Sequence, residues 1–225
     1  MLDILNAATG LLERQGEDVN DPWDIVDIFE KRVAEFAGSK YAVSVDSCTN
    51  AMFLCLKYLE IEGQDITIPD RTYVSVPGII KHTGNNVKFE DIEWEGVYQL
   101  GGTPVYDSAT RFRSEMYIPG AYQCLSFHAK KNLAIGKGGM ILTNDEEAYN
   151  WFKIARYEGR HTDVKYADDH FDMIGWNMYM YPEQAAYGLM LFEALDVGLA
   201  PFQDEIPDCG GSEDYRPLSS FDIFK

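Results

Sequence analysis

Apolar and polar positions along this chain switch repeatedly between two rhythms. Over residues 22–37 the apolar residues recur at helical spacing. Ile25, Val26, Phe29, Val33, Phe36 and Ala37 share one face, Asp21-Pro22 reads as N-cap and first helical position, and Gly38 as the stop. YAVSV at 41–45 has no polar face, which is the pattern of a strand buried on both sides. Ser47 then opens a second helix with Ala51, Leu54, Cys55, Tyr58 and Leu59 inward. The alternation continues through strands ITIP at 66–69, VKFEDI at 87–92, TPVYD at 103–107 and YQCLSF at 122–127, with a helix predicted near 74–83. A glycine-rich turn, Gly136-Lys137-Gly138-Gly139, leads into a further strand, MILTN. Asp145 caps a helix running to about Tyr157, and another helix is predicted from Pro182 to Leu195. Residues 1–20 read as a weakly helical acidic lead-in, and from Ala200 onward Pro, Gly, Ser and Asp dissolve the pattern into a loop-like tail. Strands alternating with helices predict an α/β fold with a largely parallel sheet.

Composition narrows the class. At 225 residues and 46% hydrophobic, the chain can fill one substantial core or two small ones. No apolar run approaches the ~20 residues of a membrane helix, and no secretory signal is visible, so a soluble cytoplasmic protein with no membrane partner is expected. A net charge of -18 with no Lys/Arg-rich run argues against nucleic acid, whose backbone is held by cations. It does not argue against a small anion, which a local nest of N–H groups can hold. Cys48, Cys55, Cys124 and Cys209 form no CxxC pair, so structural zinc is not expected, and Cys55 and Cys124 read as small buried hydrophobes. Of the histidines, His128 is placed beside the predicted crevice. His82, His161 and His170 read as loop or surface residues, with no metal site expected.

Position carries the functional signal. Ser47-Cys48-Thr49, Tyr73, Asp107 and the stretch from Ser126 to Lys131 all fall at or just past the C-terminal ends of predicted strands. In an open α/β sheet those ends share one edge, where ligands bind. Each residue alone has an ordinary explanation: Ser47 as N-cap, Tyr73 as packing, Asp107 as turn former, Lys130 and Lys131 as surface lysines. Together they supply hydroxyls at a helix N-terminus for a phosphate, an aromatic ring, a carboxylate for a protonated ring nitrogen, and an amine for an aldehyde. That set describes pyridoxal phosphate (PLP).

The sequence resembles the nucleotide-sugar aminotransferases of the DegT/StrS type, which are fold-type-I PLP enzymes. The segments that carry the resemblance are FEKRVAEFAGSKYAVSVDSCTNAM, IPDRTYVSV, VYDSA, LSFHAKKNLAIGKGGMILTND and IGWNMYMYPEQAAYGLMLFEAL, in the family's order over roughly residues 23–195. SFHxxKN followed by GxGG is the specific part. The resemblance implies a three-layer αβα sandwich: a lead-in at 1–22, a PLP-binding large domain at 23–199, and a short tail at 200–225 in place of the usual small domain. It implies that Lys131 forms the Schiff base and that Asp107 pairs with the pyridine nitrogen. Ser126, Cys48 and Thr49, with Ser47 at the same helix start, would hold the phosphate, and Tyr73 would stack on the ring. Thr110 would contact the cofactor face. Asn177 would reach the phosphate of the neighbouring subunit, which implies a homodimer with shared sites. The implied reaction takes an amine from an amino acid, glutamate being the expected donor, to a keto-sugar nucleotide.

The sequence departs from the family at several of these positions. Cys48 stands where Gly is usual, Lys137 where an acid is usual, Tyr179 where Arg is usual, and Thr110 where His or Gln is usual. The chain is also short. Two alternatives stay open: a deoxysugar dehydratase, against which Lys131 counts because those relatives carry His there, and a shortened relative that binds PLP without catalysis.

Overall fold

The computed structural model describes residues 2–196 and 206–224. Its helices are α1 (Leu2–Arg14), α2 (Pro22–Ala37), α3 (Cys48–Tyr58), α4 (Ser75–His82), α5 (Glu146–Ala155) and α6 (Pro182–Asp196). Its strands are β1 (Tyr41–Val45), β2 (Asp65–Pro69), β3 (Asn86–Glu90), β4 (Tyr98–Gln99), β5 (Val105–Asp107), β6 (Tyr122–Ser126) and β7 (Gly139–Thr143). The helix ends follow their caps. Asp21 forms a capping box with Asp24, and Gly38 takes the left-handed conformation that closes α2. Ser47 and Asp145 each accept a first-turn N–H, from Asn50 and Ala148.

Strands β1, β7, β6, β5 and β4 lie side by side in that order, and β2 pairs with β3. An antiparallel bridge between Thr67 and Gly101 ties β2 to the chain leaving β4. Pairs β2–β3 and β5–β6 are parallel, while β1–β7, β6–β7 and β4–β5 are antiparallel. So β1, β2, β3, β5 and β6 run one way, and β4 and β7 run back. The sheet is parallel in the main, as read from the sequence, with two reversals the sequence reading did not contain. Connection length explains β4, because residues 100–104 cannot make the crossover of a dozen or more residues that a parallel pair needs. The reversal of β7 matters for the site. Since β7 returns antiparallel to β6, the connection at 127–138 begins and ends at one edge of the sheet, and that edge carries Lys131 and the glycine turn.

Alternate residues of each strand feed two cores. Ala42, Leu125, Met140 and Leu142 face α1, α2 and α6, packing with Phe29, Phe112 and Phe127. Val43, Val45, Cys124 and Ile141 face α3, α4 and α5 with Ile66 and Ile68. This is the expected three-layer sandwich. Cys55 and Cys124 are fully buried, as their apolar surroundings predict.

The two chain ends, read as a weakly helical lead-in and a loop-like tail, both pack on the body. The first residues do more than lead in: α1 docks against α2 and α6 and buries Ala8 and Leu12 completely. Where it is described, the tail is irregular apart from two short turns, Ser212–Asp214 and Asp222–Phe224. Residues 206–224 fold back over the C-terminal edge, with Cys209 N donating to Thr110 O (2.8 Å) and Ser212 N to Trp94 O (2.9 Å). Leu218 N donates to Asp70 O (2.9 Å), and Arg111 grips Asp208 at 2.6 Å. The first part of the expected tail, 200–205, lies outside the described residues.

Candidate active site

The C-terminal edge of the sheet holds a cavity of about 840 Å³, within the range of small-ligand sites. Ser47, Cys48, Thr49, Tyr73, Asp107, Thr110, Ser126 and Lys131 all line it. Eight of the nine candidate residues thus meet in one place. Asn177 does not. It lies on the strand-like segment bridged to Tyr157, is exposed, and donates to Glu158 at 2.8 Å.

One end of the cavity is the N-terminus of α3. The first-turn N–H groups of a helix have no intrahelical acceptor and favour an anion. Two hydroxyls sit beside them, Thr49 Oγ1 and Ser75 Oγ, 2.8 Å apart. Gly139 makes this corner possible. A Cβ there would lie 2.4 Å from Cys48 N and from Ser47 C, so only glycine lets β7 start against the helix end. Lys137, in place of the usual acid, pairs with Asp46 at 3.3 Å.

The other end is Asp107, buried at the tip of β5. Oδ2 accepts from the Tyr98 hydroxyl at 2.8 Å, Oδ1 accepts from Ala109 N at 2.9 Å, and the Cys48 thiol points at Oδ1 from 3.8 Å. Burial pushes the Asp107 carboxyl up from its ordinary range; those hydrogen bonds and the Lys131 charge work against the rise without cancelling it. Burial and the Asp107 charge push Cys48 and Tyr98 up, so both stay protonated and act as donors.

Between the two ends lie the amine and the ring. Lys131 is half-buried and Lys130 exposed, which separates the neighbours that sequence alone ranks only by resemblance. Tyr73 lines the cavity mouth with 58% of its surface exposed. Thr110 is buried, and its hydroxyl is committed to Gly210 O (2.9 Å) and Gly96 O (3.2 Å), anchoring the tail. Tyr179, in place of Arg, packs edge-on against Trp23 and Tyr157.

Sequence reasoning missed Tyr98, Ser75, Trp94 and the tail residues Cys209, Gly210, Asp214 and Tyr215, the last five of which share the cavity wall with Ser75. Ser75 opens a predicted helix and was open to the same argument as Ser47. Tyr98 sits in a two-residue strand with no periodicity to betray it.

The profile of the DegT/DnrJ/EryC1/StrS aminotransferase family matches residues 14–99 and 118–201. The spore coat polysaccharide biosynthesis protein SpsC of Bacillus subtilis (strain 168) is 28% identical over 220 residues, covering 75% of this chain and 56% of that protein. GDP-perosamine synthase of Escherichia coli O157:H7 is 28% identical over 211 residues, covering 75% and 57%. The chain therefore spans just over half the length of these relatives. Among solved structures, Spr1654 of Streptococcus pneumoniae in its PLP form superposes with a TM-score of 0.66 at 19% identity, over 87% of this chain and 65% of that one. DesI, solved in the presence of its TDP-sugar product, gives 0.63 at 19%, over 88% and 59%. The fold of these structures is the fold described above, and with a profile match over most of its length the chain belongs to the DegT/DnrJ/EryC1/StrS aminotransferase family.

Proposed function

We propose that this chain forms the cofactor-binding body of a PLP-dependent aminotransferase that moves an amine from an amino acid, with glutamate as donor, to a nucleotide-linked keto sugar. One observation carries the reading: a helix N-terminus with hydroxyls, a buried carboxylate and a half-buried lysine line a single cavity. The names of relatives that make GDP-perosamine or hold a TDP-sugar product support the substrate class.

The donor set fits PLP. The N–H groups at the start of α3, with Thr49 and Ser126, would hold the phosphate, and Ser47 fixes that helix end. Asp107 would hold the pyridine nitrogen protonated through a charge-assisted bond, and Tyr73 would cover the ring. Bound PLP supplies an aldehyde that condenses with amines and a ring that withdraws electrons. Lys131 Nζ would be the amine that binds this aldehyde, and the same nitrogen would carry the proton of the donor α-carbon. Asn177 would act across a homodimer. Ile174, three residues before it and 94% exposed, and Tyr181, four residues after it and 55% exposed, offer apolar side chains to a second copy.

Borohydride reduction of PLP-loaded protein followed by peptide mapping tests the central assignment. The phosphopyridoxyl group is expected on Lys131. A label on Lys130 alone, or none, overturns it.

A second reading, a PLP-binding relative without catalysis, is favoured by Thr110 and Tyr179, which are turned to structural use where the family has polar contacts. Glutamate separates the two readings. It should convert bound cofactor to the pyridoxamine form in an aminotransferase and leave the spectrum unchanged in a binding protein.

A further inference from the structure

Away from the cavity, the segment between α5 and α6 gathers a second set of polar side chains. Its two stems are pinned by backbone. Glu158 N donates to Trp176 O (3.0 Å) and Trp176 N to Ala155 O (2.6 Å). Gly159 and Gly175 let the stems touch, since a Cβ on Gly175 would lie 2.2 Å from Gly159 N, and one on Gly159 would lie 2.1 Å from Met173 O. Two residues beyond this clasp on one side is His161. On the other side are His170 and Asp172.

We propose that His161, His170 and Asp172 bind a first-row divalent cation, with Zn²⁺ the best match to the donors. Each offers a ligand atom, and the three atoms lie within 4.8 Å of one another. The separation of His170 Nε2 from Asp172 Oδ2 is 3.4 Å. Ligands about 2.1 Å from a tetrahedral zinc stand about 3.4 Å apart, so that pair is already at coordination spacing. His161 has the support that metal-binding histidines usually have. Its Nδ1 is 2.8 Å from Asp169 Oδ1, and its backbone N donates to Asp169 Oδ2 at 3.0 Å. With the proton on Nδ1 shared with a carboxylate, the lone pair sits on Nε2, free for a metal. Asp169 is shielded from solvent, and its Oδ2 lies 3.8 Å from Nε of Arg160, whose guanidinium stacks over the rings of Tyr157 and Tyr166 and stays outside the three-ligand set. Residues 161–172 contain four Asp and one Lys, so the local field attracts a cation. Two imidazoles exclude Mg²⁺ and Ca²⁺ as preferred ions. Three protein ligands leave a position open to water. A bound ion would also tie His161 to His170 and close the loop that leads to Asn177.

Cobalt tests this on the full chain loaded with PLP. Co²⁺ should give saturable visible d–d bands at one ion per chain, displaced by Zn²⁺. His161→Ala and His170→Ala should abolish the bands while leaving cofactor absorbance unchanged. Asp169→Asn, which touches the ligand and not the ion, should weaken binding about tenfold or more. Zn²⁺ should slow tryptic cleavage after the exposed Lys165 in the wild type and not in Asp172→Asn. Bands of equal strength in both histidine variants, the absence of a saturable band in the wild type, or cleavage at Lys165 indifferent to Zn²⁺ would overturn the proposal.

Discussion

Asp107 is held by a relay whose proton directions follow from counting. A tyrosine hydroxyl has one hydrogen. Tyr98 gives it to Asp107 Oδ2, so Thr72, whose Oγ1 lies 2.5 Å from the Tyr98 hydroxyl, must donate inward. Hydrogen bonds to a carboxylate are worth about 1.5–3 kcal/mol, and here they oppose the rise that burial imposes. Tyr98→Phe therefore raises the Asp107 pKa further. A protonated Asp107 cannot hold a protonated ring nitrogen, so the defect must grow toward acid. PLP affinity should fall about tenfold, more at pH 6 than at pH 8; fluorescence quenching on PLP addition measures both. Equal losses at the two pH values would show that Tyr98 does not act through the charge on Asp107. At this scale Ser47, Thr49, Asp107, Ser126 and Lys131 were legible because strand ends in a parallel sheet converge. Tyr98 was not, because its role depends on a hairpin partner and on Thr72 in a different loop.

Among elements, a buried charge does the joining. Glu30 lies on the inward face of α2, where Phe29 and Val33 are fully buried. It accepts from Ser44 N and Oγ of β1 at 2.7 Å, from Lys153 of α5 at 3.1 Å, and from Arg156 at the end of α5. Burial alone would raise its pKa, but the charges of Arg156 and Lys153 and the bonds from Ser44 and Arg156 bring it down to about 2, against an ordinary 4.5. The folded value is the lower one, so the stabilisation is complete above the ordinary value and is lost as pH falls from 4.5 through about 2. Glu30→Gln leaves Arg156 buried without its partner. It should cost about 3–5 kcal/mol at neutral pH and flatten the acid limb of the stability curve, both read by urea unfolding at a series of pH values. An unchanged acid limb would mean that other carboxylates set it. The helix itself was plain from spacing and caps. The network was not, since Glu30 and Arg156 are 126 residues apart and no local pattern links them. The same contrast holds for strands: apolar runs disclosed β1, β6 and β7, while the reversals of β4 and β7 depend on how connections close.

For the whole molecule, the question is what forms the outer wall of the cavity. Residues 206–224 do so in part, with Tyr215 stacked near Trp94 (centroids 5.9 Å, 25°) and both lining the cavity. The composition of this stretch, rich in Pro, Gly and Asp, reads as loop, and nothing local encodes its return. The contacts that return it are long-range: Arg111 to Asp208, Thr110 to Gly210, and Ser219 to Asp70 at 2.7 Å through both N and Oγ. The segment carries few buried apolar side chains, Leu218 being one, so its attachment is weaker than the core's. Arg111→Ala removes the bidentate grip and leaves the Asp208 carboxylate, with 6% of its side chain exposed, unpaired. Hydrogen exchange at the amides of Cys209, Ser212 and Leu218 should then accelerate while β1, β6 and β7 keep their protection. Parallel loss of protection in the strands would show instead that tail and sheet unfold as one unit. The cavity must admit an anionic ligand into a chain of net charge -18, and the lysines at 130, 131 and 137 on its wall supply the local attraction. If the tail is part of that entrance, Arg111→Ala should also speed PLP release from the reduced-affinity Tyr98→Phe background more than from the wild type, since Tyr98 packs on Trp94 (centroids 4.8 Å) and Trp94 on Tyr215 of the tail, so the two substitutions loosen one connected wall.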